Sequence, residues 1–138
     1  MRTITFYSYK GGVGRSLLVA NTAKYLSTLG KSVFAIDFDL EAPGLHYKFE
    51  LGADAVRSES CRGIVDILST FLEEGEMPQS LSDFAVDIKV TNGAGAIQIM
   101  RAGTAPSGDY WRALSHINWY DILYGEKPVG VPFFLELT

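Results

Sequence analysis

Seven residues near the N-terminus, Lys10-Gly11-Gly12-Val13-Gly14-Arg15-Ser16, constrain what this chain can fold into more than any other stretch. They join two segments of different periodicity. Before them, residues 3–9 (Thr-Ile-Thr-Phe-Tyr-Ser-Tyr) are β-branched or aromatic at nearly every position, the pattern of a strand covered on both faces. After them, Leu17, Leu18, Ala20, Ala23, Leu26 and Leu29 recur at intervals near three, which predicts a helix from Ser16 closed by Gly30. Residues 31–39 predict a second buried strand, with Val33, Phe34, Ala35 and Ile36 as its apolar run. Strand, helix and strand in so short a span make a βαβ unit, and its crossover is expected to be right-handed.

Further along, Pro43 and Gly44 mark a loop, and residues 51–60 form a weakly patterned connection with no evident domain boundary. Residues 63–74 predict an amphipathic helix through Ile64, Val65, Ile67, Leu68, Phe71 and Leu72, ended by Gly75. Two strands are expected at 87–91 and 96–101, separated by Asn92-Gly93-Ala94-Gly95, as a hairpin or across a loop. Residues 107–124 predict one helix capped by Ser107 or Asp109, with Tyr110, Leu114, Ile117, Tyr120 and Tyr124 along one face. Residues 131–137 are apolar but too short to assign.

Composition narrows the function classes. The 138 residues carry 12 Lys plus Arg against 16 Asp plus Glu, a formal net charge of −4, which does not suit non-specific nucleic-acid binding by this segment. No membrane-length apolar run is present, and residues 3–9 follow Met1 without a long apolar leader or a small-residue cleavage site, so a cytoplasmic protein is expected. Cys61 is the single cysteine, which removes an internal disulfide framework and a thiolate zinc cluster. Cys61 reads as inert, and His46 and His116, at no metal-ligand spacing, as packing or surface residues.

The glycine loop carries the chemistry. Glycine is needed where backbone approaches a ligand or takes positive φ, and a helix start offers unpaired N–H groups and a positive dipole end. Together they form an anion site. Against the general pattern of Gly, four residues, then Gly-Lys-Ser/Thr, Tyr9 stands at the first glycine and Arg15 at the lysine, so the strict template is not met. A turn serving close packing alone is the other reading of these glycines. Asp37 and Asp39 follow the second strand, where open α/β sheets place ligand chemistry, and alternation puts them on one face; either could instead cap the next turn.

The run Lys10-Gly11-Gly12-Val13-Gly14-Arg15-Ser16 resembles the deviant Walker A loop of the ParA/MinD family of P-loop ATPases, in which a signature lysine precedes two glycines. Arg15, with Ile36-Asp37-Phe38-Asp39-Leu40-Glu41-Ala42-Pro43-Gly44-Leu45 downstream, is similar to the subgroup of KGGVGR-motif variants. The resemblance is concentrated in residues 3–47. It implies a three-layer α/β P-loop fold with a mainly parallel sheet, binding ATP and Mg²⁺ through Lys10, Gly11, Gly12, Val13, Gly14, Arg15, Ser16 and Leu17. By the same resemblance, Ser16 ligates Mg²⁺ and Asp37 assists it through water, while Asp39 orients the attacking water. Lys10, the signature lysine, would reach the nucleotide of a facing subunit, which implies an ATP-dependent homodimer and a protein partner.

An arginine in the lysine position is planar and longer, and binds phosphate through two parallel donors. Two functions therefore stand: ATP hydrolysis that switches dimerisation or partner binding, and a nucleotide-dependent scaffold or sensor that does not hydrolyse. The family's later apolar run ending in Asp with a nearby Gly is not found after residue 100. The expectation is one P-loop domain over residues 1–138, continuing in a longer protein.

Overall fold

The computed structural model describes residues 2–49, 51, 62–90, 95–104, 107–126 and 128–137. Three strands, β1 (Val33–Ile36), β2 (Ala85–Ile88) and β3 (Ile97–Met100), form one sheet in the order β1-β3-β2. β1 and β3 are parallel, with Val33 opposite Ile97 and Ile36 opposite Met100. β2 is antiparallel to β3, with Ala85 opposite Met100 and Ile88 opposite Ile97. The sheet is therefore mixed rather than mainly parallel. A short connection suffices for an antiparallel neighbour, whereas a parallel pair needs a crossover.

Side-chain alternation turns this sheet into the middle of three layers. On one face Ile97 and Ile99 of β3 join Ala35 of β1 and pack with Ala20 and Ala23 of helix α1 (Arg15–Thr28). On the other, Met100 and Ile36 meet Ile64, Val65, Ile67, Leu68 and Phe71 of α2 (Ile64–Glu74). Tyr110 of α3 (Gly108–His116), Ile122 of α4 (Trp119–Tyr124) and Phe133 of α5 (Gly130–Leu137) extend that second core. Each fully buried Ile or Leu in it contributes about 1.5–3 kcal/mol of transfer free energy.

α2 starts where β3 ends. The amides of Ile64 and Val65 donate to the carbonyls of Arg101 and Ala102, both at 2.9 Å, and the Asp66 carboxylate accepts the Gly63 N–H at 2.7 Å. These bonds satisfy the helix's first donors and lock it to the sheet's carboxyl edge. The approach leaves no room for a side chain at Gly63, whose Cβ would lie 2.2 Å from the Arg101 oxygen. α1 also approaches closely, because it buries small residues: the Gly95 amide donates to the Ser27 carbonyl at 3.2 Å.

Several expectations are corrected. Residues 3–9 join no ladder, although β1 and β2 each keep an outer edge unpaired among the described residues; the cover expected on both faces is missing, and Ile4, Tyr7 and Tyr9 are exposed. Leu17, Leu18 and Leu29 are exposed as well, since α1 turns its alanines and Ser27 inward. The helix expected over 107–124 is two. Asn118 begins the second by accepting the amides of Tyr120 and Asp121, and the changed phase buries Ile122 while exposing Tyr120 and Tyr124. Ser107 caps α3, accepting from the Tyr110 amide at 3.1 Å. The segment at 131–137 lies within helix α5. Cys61, residues 52–60 and the turn at 92–94 lie outside the described residues. No helix among the described residues is long and apolar enough to cross a membrane.

The contacts at Gly63 set a paired expectation. Gly63→Ala destabilises by about 1–3 kcal/mol through backbone overlap. Gly108→Ala, in the first turn of α3 with nothing within 4 Å of the added methyl, is neutral or stabilises by up to about 1 kcal/mol. Denaturant melts of both variants check this, and equal effects would contradict it.

Candidate functional site

The glycine loop bends by backbone conformation alone. Gly12 (φ 74°) and Gly14 (φ 83°) occupy the left-handed region, and Gly14 is the residue before α1, with no side chain capping the helix start. The first intrahelical bond runs from the Leu18 amide to the Gly14 carbonyl at 2.9 Å, so the amides of Arg15, Ser16 and Leu17 are the first-turn donors left for an outside acceptor. A Cβ placed on Gly11, Gly12 or Gly14 would meet nothing within 4 Å. Close packing therefore does not account for these glycines. Lys10, Val13 and Leu17 are exposed and Ser16 is half-buried, so the loop opens to solvent with a hydroxyl at the helix start.

Arg15 ties the loop to the end of β1. Its Nη1 donates to the Ser8 carbonyl at 2.7 Å, and its Nη2 donates to Asp39 Oδ2 at 2.5 Å. Both side chains keep about a quarter of their surface (28% and 27%), so the pair is partly desolvated and contributes on the order of 1 kcal/mol. The other Asp39 oxygen, Oδ1, accepts the Ala42 amide at 3.3 Å. Ser8 also donates its hydroxyl to the Lys10 carbonyl at 2.6 Å.

Asp37 is placed differently from Asp39. It is buried, and its carboxylate accepts the amides of Leu45 (2.9 Å), Gly44 (3.0 Å) and Asp39 (3.3 Å), so it caps the turn that leads into the 3-10 helix Leu45–Phe49. Burial pushes its carboxyl above the usual value of 3.8 despite these three bonds. Tyr110 pins the same segment by donating its hydroxyl to the Leu40 carbonyl at 2.7 Å. Burial, then the carboxylates of Asp37, Asp39 and Asp66, push that phenol up to about 12.

The sequence pattern did not mark the Ser8 carbonyl as a partner of Arg15, nor Tyr110 as a brace for residue 40. The first is a backbone acceptor and the second a contact across 70 positions, so neither leaves a local signal. A cleft of about 340 Å³ opens beside Asp39, lined by Phe38, Leu40, Glu41, Leu114 and Trp119. Trp119 packs partly into the core, whereas Trp111 is exposed. His116 is exposed at the end of α3.

Among the described residues, no group of three or more His, Cys, Asp or Glu side chains is arranged to hold a metal ion. The donor set at the loop instead suits a polyanion that brings its own cation: backbone amides, one hydroxyl and one guanidinium. Such a combination, at the carboxyl side of an α/β sheet, is the kind of arrangement at which α/β folds hold phosphate groups. The chain belongs to the CobQ/CobB/MinD/ParA nucleotide binding domain family, whose model (CbiA) matches residues 4–102. The match takes in the glycine loop, both aspartates and the whole sheet. No curated protein and no solved structure matched the chain at the required significance.

His46 lies next to the Asp37-held turn, buried, with neither ring nitrogen hydrogen-bonded among the described residues. Burial, and then the Arg101 charge, lower its proton affinity below the usual 6.5. The sign follows: below 6.5 the unfolded chain binds this proton first, so stability falls as pH drops through that value. His46→Leu is expected to flatten this loss in thermal melts taken across that pH range. An unchanged slope would assign the loss to other groups.

Proposed function

We propose that this chain is a deviant Walker A P-loop domain of the KGGVGR type that binds ATP with Mg²⁺ at residues 10–17 and uses hydrolysis to switch dimerisation or partner binding. The observation that carries the reading is the open glycine loop, whose positive-φ bends precede the unpaired amides of α1 with nothing packed against them. A triphosphate is the ligand such amides favour, because its charge is spread over many oxygens that each accept a short bond.

In this reading the amides of Gly12 to Ser16 would hold the β-phosphate, Arg15 would add a planar two-pronged donor, and Ser16 would ligate Mg²⁺, with Asp37 assisting through water. Magnesium, held by Ser16, would supply neutralisation of phosphate charge. Asp39 orients a water for attack on the γ-phosphorus; the bond to the bridging oxygen breaks, and ADP and phosphate leave. The exposed Lys10 is available to the nucleotide of a second copy, which makes the active form a homodimer. Its setting in a cell is proposed as the cytoplasm.

One observation favours a second reading. Asp39 is engaged by Arg15, and a carboxylate kept in that pair cannot orient water, which would leave a nucleotide-dependent scaffold or sensor without turnover. Phosphate release at dimer-forming concentration separates the two.

Titration calorimetry with ATP and Mg²⁺ tests the site. Ser16→Ala is expected to weaken Mg²⁺-dependent affinity about 10-fold or more, and equal affinity would remove Ser16 from the metal. Asp39→Ala is expected to bind nucleotide and release no phosphate. Turnover by that variant would take Asp39 out of the reaction.

A further inference from the structure

We infer that Arg15 is a latch: without nucleotide it holds Asp39, and phosphate in the glycine loop draws it away, so that binding itself uncovers the carboxylate. The inference rests on the nucleotide-binding reading and adds to it an order of events.

One guanidinium joins three segments that are separate in the chain. It leaves the first residue of α1, donates to the carbonyl of Ser8 on the N-terminal side of the loop, and donates to Asp39 beyond β1. Each contact has a consequence for the loop. The Ser8 bond fixes the chain entering the glycines, and that chain is further tied by the Ser8 hydroxyl to the Lys10 carbonyl. The Asp39 bond fixes the loop to the sheet. Asp39 is in turn oriented by the Ala42 amide on its Oδ1, so loss of Arg15 leaves Oδ2 open while the carboxylate keeps its place.

The competition favours phosphate. Arg15 and Asp39 are both partly exposed, so their pair lies in the modest range for ion pairs open to solvent. A triphosphate in the loop presents several charged oxygens to the same fork, which binds phosphate through two parallel donors. A lysine would offer a single point charge in place of two fixed, parallel donors, so it would match neither the Ser8–Asp39 pair nor a phosphate with the same fork geometry. The substitution of arginine for the general lysine thus gains a role that the phosphate contact alone does not supply.

Two measurements test the latch. In titrations with ATP and Mg²⁺, Asp39→Asn is expected to tighten binding about 3- to 10-fold in the presence of Arg15, because the latch no longer has to open. In an Arg15→Ala background the same change is expected to tighten it less. An equal or larger gain in the Ala background would show plain charge repulsion by Asp39 and overturn the latch. In the second measurement, the Arg15 guanidinium is followed by nitrogen-15 NMR. It is expected to rotate slowly in the nucleotide-free protein, to lose that restraint in Asp39→Asn, and to shift on saturation with ATP and Mg²⁺. A signal unmoved at saturation overturns the inference. Absence of any binding heat overturns the nucleotide reading instead, and the release step with it, while the NMR signal still reports whether the pair forms.

Discussion

The parallel pairing of β1 with β3 is the constraint on which the site depends. It brings the carboxyl ends of two strands to one edge, so the chain leaving β1 through Asp37 and Asp39 runs beside the chain leaving β3 through Arg101 and Ala102. From that edge α2 starts on the carbonyls of Arg101 and Ala102, and the Asp37 amide closes the ladder by donating to Met100 at 2.9 Å. α1 covers the opposite face through alanines small enough to let the helix sit low. The glycine loop is thereby carried to the same end of the sheet as Asp39, close enough for Arg15 to span the gap.

The two aspartates show how one short motif divides its labour. Asp37 is turned inward and spends its oxygens on backbone amides, shaping the turn at Gly44 and Leu45 and accepting the burial that raises its proton affinity. Asp39 remains partly exposed and faces the only charged side chain of the loop that reaches the sheet in the described residues. Tyr110 steadies the backbone between them and the cleft. Two neighbouring carboxylates thus sit in different surroundings, Asp37 fixed by buried backbone amides and Asp39 by the partly exposed Arg15 guanidinium.

Much of this was legible in the sequence where local chemistry dominates. The glycine loop, the helix that follows it, the apolar run at Val33–Ile36 and the helix at Ile64–Glu74 all have strong short-range signals, and each is present. The glycines could not be assigned between packing and ligand approach until the space around them was known. Residues 3–9 have the composition of a strand, but composition does not say whether other layers will cover the segment, and here Ile4, Tyr7 and Tyr9 stay exposed. The helix expected through 107–124 breaks at Asn118 because a side-chain cap competes with helix continuation, a local choice that the apolar periodicity hides. Arg15–Asp39 spans 24 positions and has no periodic signature, so only the folded chain reveals it.

In the proposed function, the backbone from Gly11 to Leu17 grips a nucleotide's phosphates. Backbone amide NMR during titration with ATP and Mg²⁺ tests it most directly. The largest shifts are expected on residues 11–17, with a saturable curve and smaller changes around Asp39. Saturable shifts centred elsewhere, with the amides of Gly12 to Ser16 unmoved, would contradict it.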